Sequence, residues 1–253
     1  TLGDGTQVKG SHLLMAVGRK VALDGMGLDA AGIAHTPKGV TVDARLRSTN
    51  RRVFAVGDAA GGLQFTHVAG WHAGIVIRQA MFGLRAKADP RAIPRATYTD
   101  PELAQVGLTE AEARAAFGDK VTVVRAEFAH NDRALAEGKA KGLLKVMVVR
   151  GRPIGASMVG PQAGELIGLW ALAISAKLKL SAIAGMVAPY PTLGEVSKRA
   201  AGAYFSPKLF VTIRAADGPN WPENLGKDGD FVLLMTGWSR DIKLPGVKEM
   251  NDA

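Results

Sequence analysis

The chain has 253 residues, 47% of them hydrophobic, with a formal net charge of +9 and no cysteine. This is room for one large domain or two modest ones, and it excludes disulfides, thiolate metal sites and dithiol chemistry carried by the chain itself. No apolar run approaches the roughly eighteen residues of a membrane span, and the cationic residues are scattered rather than gathered on one helix, which suits solvated faces and an anionic ligand better than nucleic acid.

Taken in order, residues 1–18 read as the closing edge of a sheet. Asp4-Gly5 is a hairpin signal, and residues 13–17 read as a buried strand ending at Gly18-Arg19. Gly25-Met26-Gly27 imitates a dinucleotide fingerprint, but no strand leads into it and Asp29 stands badly for a phosphate. Residues 40–43 read as a short strand leading to the central stretch, 49–67. There the apolar residues 53–56 run into Gly57 and Asp58. Such a run reads as a strand buried on both faces, as in a parallel sheet. Gly57 has no Cβ, so another backbone or a ligand can approach closely. Asp58 then stands at the carboxyl end of the strand, where open α/β sheets bind ligands. Small residues follow, Ala59 first, and Phe65, Thr66 and His67 open a helix with Thr66 as its N-cap. One carboxylate for sugar-like hydroxyls, and one positive helix end for an anion, suit a cofactor that carries both.

Residues 67–82 read as that helix, with Val68, Ala73, Val76, Ile77 and Ala80 at helical spacing and Gly83 at its C′ position. His67 and His72 lie five apart, which does not align them for one metal, and no metal site is expected. Residues 85–95, with Pro90 and Pro94, form a linker. Beyond it Thr109 and Glu112 make a capping box, and the helix they open stops at Gly118. Residues 121–128 alternate as a strand. Residues 143–149 and 154–159 are strands joined by a turn over 150–153. Residues 165–178 form an apolar helix, Ser181 caps a short one, and residues 192–204 form the last. This order fits an antiparallel sheet with helices on one side.

The central stretch resembles the second flavin-binding motif of the FAD-dependent pyridine nucleotide–disulfide oxidoreductases. Thr49, Val53, Phe54, Ala55, Gly57 and Asp58 carry its T-x-x-x-V-F-A-x-G-D core. The resemblance implies that Asp58 binds a ribityl hydroxyl of FAD and that the following helix points its N-terminus at the flavin N1/O2 edge. Gly57, Ala59, Gln64, Phe65, Thr66 and His67 would complete that cofactor site. Gln64 to His67, followed by Val68-Ala69, is similar to the mercuric-reductase-like branch, and residues 97–110 resemble the opening of the family's dimerisation domain. Residues 188–195 align with the family's His-Pro-Thr-x-x-Glu signature, but with Tyr190 in the His position. The signature makes Tyr190 and Glu195 the candidate catalytic pair, although a phenol with pKa near 10 is a poor base at neutral pH. Thr192-x-x-Glu195 is also a capping box, so Glu195 has a purely helical reading, and Tyr190 has one as an interface aromatic. The resemblance implies a cis Tyr190–Pro191 bond. Mercuric reductases carry a carboxyl-terminal cysteine pair that this chain lacks.

The implied fold is α/β plus α+β: incomplete segments of NAD(P)- and FAD-binding domains over residues 1–20 and 21–88, an α+β dimerisation domain over 89–210, and a tail, 211–253, without a readable role. Thr1 in place of Met reads as the start of a fragment. The implied parent is a cytoplasmic, homodimeric flavoprotein using FAD and NAD(P)H, with no nucleic-acid or membrane partner and an electron acceptor, small molecule or metal ion, that these residues do not name. Alone, lacking the glycine-rich turns for both dinucleotides, the fragment is expected to be inactive. The other reading is a non-catalytic dimerisation or interaction module.

Overall fold

In the computed structural model, which describes residues 1–206, the chain divides into two units, Thr1–Ile93 and Pro94–Ala253. The expectations for residues 211–253 lie outside the described residues. Among the described residues no helix is long and apolar enough to cross a membrane.

The first unit is mostly irregular chain around one helix. Asp4-Gly5 does turn the chain, with the Leu2 N–H donating to the Thr6 carbonyl at 2.8 Å. The strand expected at 13–17 does not form. Leu13, Leu14 and Val17 are exposed, and among the described residues no neighbouring strand takes up their backbone groups. Strands β1 (His35–Thr36) and β2 (Gly39–Val40) make a two-residue antiparallel ladder, shorter than the strand expected at 40–43. The apolar run at 53–56 is likewise not a strand buried on both faces. Phe54 bridges Arg47 alone, and Val56 is exposed. A doubly buried strand needs partners on both edges; the 46–48 segment supplies one. Leu28, Ile33, Val40 and Ala55 make a small core. Thr49 sews the loop over it: its Oγ1 donates to the Gly32 carbonyl at 2.8 Å and accepts from the Ala34 N–H at 2.9 Å. Helix α1 spans Thr66–Ala80 and ends before Gly83, whose φ of 63° takes the chain out of the helix. Its buried stripe is Val68, His72, Ile75 and Gln79; Ile77, expected inside, faces solvent.

The described residues of the second unit build a five-stranded antiparallel sheet in the order β3 (Arg95–Thr97), β4 (Glu102–Gly107), β7 (Arg152–Gly160), β6 (Leu143–Val149), β5 (Thr122–Glu127). Strand β6, sequence LLKVMVV, is apolar on both faces. Leu144, Val146 and Val148 point one way, toward helices α4 (Ala163–Ser175), α5 (Leu180–Ala184) and α6 (Glu195–Ala203). Met147 points the other way, against Ala113 of α2 (Glu110–Phe117). Helices therefore cover both faces, not one as expected, because alternation along β6 leaves a second apolar face to bury. The capping box forms as read: the Glu112 N–H donates to Thr109 Oγ1, and Glu112 Oε2 accepts from the Thr109 N–H at 2.8 Å. The β6–β7 turn is tighter than expected. Arg150 and Gly151, at φ 51° and 72°, make it, and Pro153 joins the strand beside a bulge where its missing N–H breaks no ladder. A short helix not foreseen, α3 (Asp132–Ala136), follows β5. Ser181 does not cap α5; Lys179 holds the cap position and Ser181 lies inside. At the core Trp170 and Phe128 are fully buried, and the Trp170 Nε1–H donates to Ser197 Oγ at 3.1 Å. The Glu102 carboxylate accepts from the Gly164 N–H at 2.9 Å and so caps α4 from a distant strand.

Candidate functional site

In the first unit Gly57 opens a 3-10 turn, Gly57–Ala60, closed by the Gly61 N–H donating to the Asp58 carbonyl at 3.0 Å. Gly57 is buried at φ 57° and lies so close to α1 that a Cβ on it would stand 2.7 Å from Ala69 Cβ. This contact sets the turn against the first turns of the helix. Asp58 follows with its side chain 43% exposed, its nearest ionic partner being Arg19 at 3.7 Å. An exposed pair at that distance contributes little, so the carboxylate is open to a hydroxyl donor. Arg19 also donates to the Gln64 carbonyl. Ala59 completes the turn half-buried. Phe65, not Thr66, takes the N-cap position of α1; Thr66 is the first helical residue and caps nothing. The Phe65 side chain makes no capping bond, and the Val68 and Ala69 N–H groups donate to the Phe65 carbonyl. The Phe65 and His67 rings stack at 5.2 Å. The turn thus sets a half-exposed carboxylate beside a positive helix terminus.

In the second unit the Tyr190–Pro191 bond is cis. Tyr190 is exposed, and its hydroxyl donates to Asp132 Oδ2 at 2.9 Å. That hydrogen bond, then the Asp132 charge, burial and the Glu195 charge, raise the phenol's pKa above its usual value. Tyr190 therefore keeps its proton. Glu195 opens α6, and its carboxylate accepts from the Thr192 N–H at 3.2 Å. The capping box at this helix is only half made: Thr192 Oγ1 donates to the Pro189 carbonyl, and Gly194 is the N-cap, so α6 begins at Glu195 rather than at 192. Buried Asn131 holds the loop from below, its side chain accepting from the Ala134 N–H at 2.9 Å and donating to the Thr192 carbonyl at 3.0 Å.

Sequence reasoning gave Arg19, Asn131 and Asp132 no role at the site and weighed His72 only as a metal ligand. Three of the four left a signal. His72 falls on the buried stripe of α1, where a polar group needs a partner, and Asn131-Asp132 is an N-cap followed by an acidic first turn. The Tyr190–Asp132 pair, 58 residues apart, left none.

Two family models match in order, pyridine nucleotide-disulphide oxidoreductase over residues 1–73 and its dimerisation domain over residues 93–201. The chain belongs to the pyridine nucleotide-disulphide oxidoreductase family: α/β segments of its dinucleotide-binding part followed by its α+β dimerisation domain. Among curated relatives, a dihydrolipoyl dehydrogenase of Bacillus subtilis is 36% identical over 191 residues, 75% of this chain and 41% of that protein. A mercuric reductase of Streptomyces lividans is 35% identical over 204 residues, 79% of this chain and 43% of that protein. Of solved structures, LpdA of Mycobacterium tuberculosis superposes with a TM-score of 0.75 at 29% identity, over 80% of this chain and 44% of that one. The flavoprotein disulfide reductase RclA of Escherichia coli does so with 0.67 at 29% identity, over 74% and 44%. The chain spans about two fifths of the length of the curated relatives it matches.

Proposed function

We propose that the chain is part of an FAD-dependent, NAD(P)H-using oxidoreductase of the disulfide reductase family, in which it supplies the ribityl and pyrimidine contacts of the flavin and the surface on which two copies pair as a homodimer. The observation that carries the reading is the half-exposed Asp58 carboxylate on a turn packed against the start of α1. The residues fit the group: Asp58 would accept from a ribityl hydroxyl, and the N-terminus of α1, whose N-cap Phe65 has no capping side chain, would face the flavin edge that becomes negative on reduction. Bound flavin would supply the hydride and electron transfer. With no cysteine here, thiol chemistry falls to other residues of the working enzyme. Tyr190, kept protonated by Asp132, acts as a hydrogen-bonding group rather than a base, and Glu195 orders the loop that carries it. By itself the chain is inactive.

The test is retention of FAD. The chain is mixed with FAD, desalted and read by its visible absorbance, while sedimentation gives its oligomeric state. The expected result is a yellow dimer, a loss of colour in Asp58→Ala, and no NAD(P)H-dependent reduction of a dye acceptor. Equal retention by wild type and Asp58→Ala would overturn the site. A colourless dimer would favour the interaction-module reading.

A further inference from the structure

Two of the four residues on the buried stripe of α1 are polar. Gln79 is accounted for by the Arg45 carbonyl at 2.9 Å and the Ile75 carbonyl at 3.4 Å. His72, 8% exposed, accepts one hydrogen bond at Nδ1, from the Gly57 backbone N–H at 3.1 Å. A backbone N–H can only donate, so Nδ1 carries no proton and the ring is neutral with its hydrogen on Nε2. Gly57 is the residue before Asp58 and the pivot of the turn: its φ of 57° swings the chain, and its peptide is the last fixed point before the carboxylate. We propose that His72 is a positioning residue for Asp58, holding the Gly57 N–H and with it the turn that presents the carboxylate to a polyhydroxy ligand such as FAD. The ligand half of this inference rests on the flavin reading above; the hydrogen-bond half does not.

The bond makes the turn sensitive to one proton. Protonated at Nδ1, His72 would set a donor against a donor, and the Gly57 N–H would lose its side-chain partner. Burial lowers the pKa of His72. Of the elements packed nearby, the turn bears Asp58, the segment that receives Gln79 bears Asp43, Arg45 and Arg47, and α1 itself bears His67 and Arg78; the shift of His72 comes from burial and from none of these charges. The bond therefore holds at the ordinary histidine value of 6.5 and is lost as pH falls through the lowered one.

The test is a pH titration of the isotope-labelled chain by amide and imidazole NMR, paired with FAD titrations at one pH above and one below the His72 midpoint so found. The Gly57 and Asp58 amide resonances should move together, with the midpoint of the His72 ring. His72→Asn, whose side-chain oxygen can stand where Nδ1 stands, should keep the Gly57 amide hydrogen-bonded and abolish its titration. FAD affinity of the wild type should fall by about tenfold across that range, while that of His72→Asn stays within about twofold. A Gly57 amide that ignores the His72 titration overturns the proposal, and this reading needs no variant to fold. Equal pH profiles for wild type and His72→Asn overturn its ligand half. A linked Gly57 and His72 with no FAD bound at any pH supports the positioning role and sinks the flavin reading instead.

Discussion

Gly57→Ala probes the packing at the heart of the site. Two costs add. An L-residue at a φ of 57° pays the left-handed penalty, about 1–2 kcal/mol. The new methyl would also stand 2.7 Å from Ala69 Cβ and 3.3 Å from Ala69 Cα, so the turn and α1 must part; overpacking of this kind costs about 1–3 kcal/mol. The total is about 2–5 kcal/mol of local stability. Gly62→Ala is the control. Gly62 has a φ of 76° but nothing within 4 Å of its missing Cβ, so it carries the first cost alone. Hydrogen exchange of the α1 amides, read by mass spectrometry, reports local opening, and each ~1.4 kcal/mol appears as about tenfold faster exchange. Ala69→Gly removes the struck methyl at about 1 kcal/mol of helix propensity. In the double variant the worse of the two clashes goes and only the 3.3 Å approach to the residue 69 Cα remains, giving a coupling of about 1–3 kcal/mol that favours the pair. Gly57→Ala no worse than Gly62→Ala, or two changes that simply add, would refute the close contact between turn and helix.

Asn131→Ala removes the cap of α3 and the tie to the Thr192 carbonyl from a site 3% exposed; it should cost about 2–3 kcal/mol in urea unfolding and speed amide exchange in the Tyr190 loop. Trp170→Phe should cost about 2–4 kcal/mol by the same assay, through a cavity and an unpaired Ser197 hydroxyl, with Ser197→Ala costing less. Glu110 has its pKa lowered by the hydrogen bond from Lys145, then by that from Arg114. Its stabilisation is present above the ordinary glutamate value of 4.5 and is lost as pH falls through the lowered one. Urea midpoints measured down an acid series should show this extra fall in wild type and not in Glu110→Gln.

The second unit was the more legible half, and the reason is local. Capping at Thr109–Glu112, alternation in β5 and the apolar runs of β6 and β7 are written within a few residues of where they act. Strand β7 ran two residues earlier than its apolar core because Arg152 and Pro153 pair as backbone, which side-chain pattern does not report. In the first unit the pattern at 13–17 and 53–56 was that of strands, yet a strand exists only with partners, and hydropathy says nothing of who they are. At the site, Asp58 and the start of α1 were readable from the order of residue types. Thr66 was misplaced by one position because the Phe65 backbone already had the extended geometry of a cap. Asp132 and Arg19 act through contacts 58 and 39–45 residues away in sequence, beyond any periodicity.

The order of the sheet in the second unit carries one more consequence. Among the described residues its two borders are β3, three residues long and opened by Arg95, and β5, whose Thr122, Arg125 and Glu127 are exposed. Brevity on one side and charge on the other discourage a neighbouring molecule from adding itself as a sixth strand. Crowded copies of this domain are thereby steered away from fibre-like, strand-to-strand growth, and the protection comes from its rims rather than from its core.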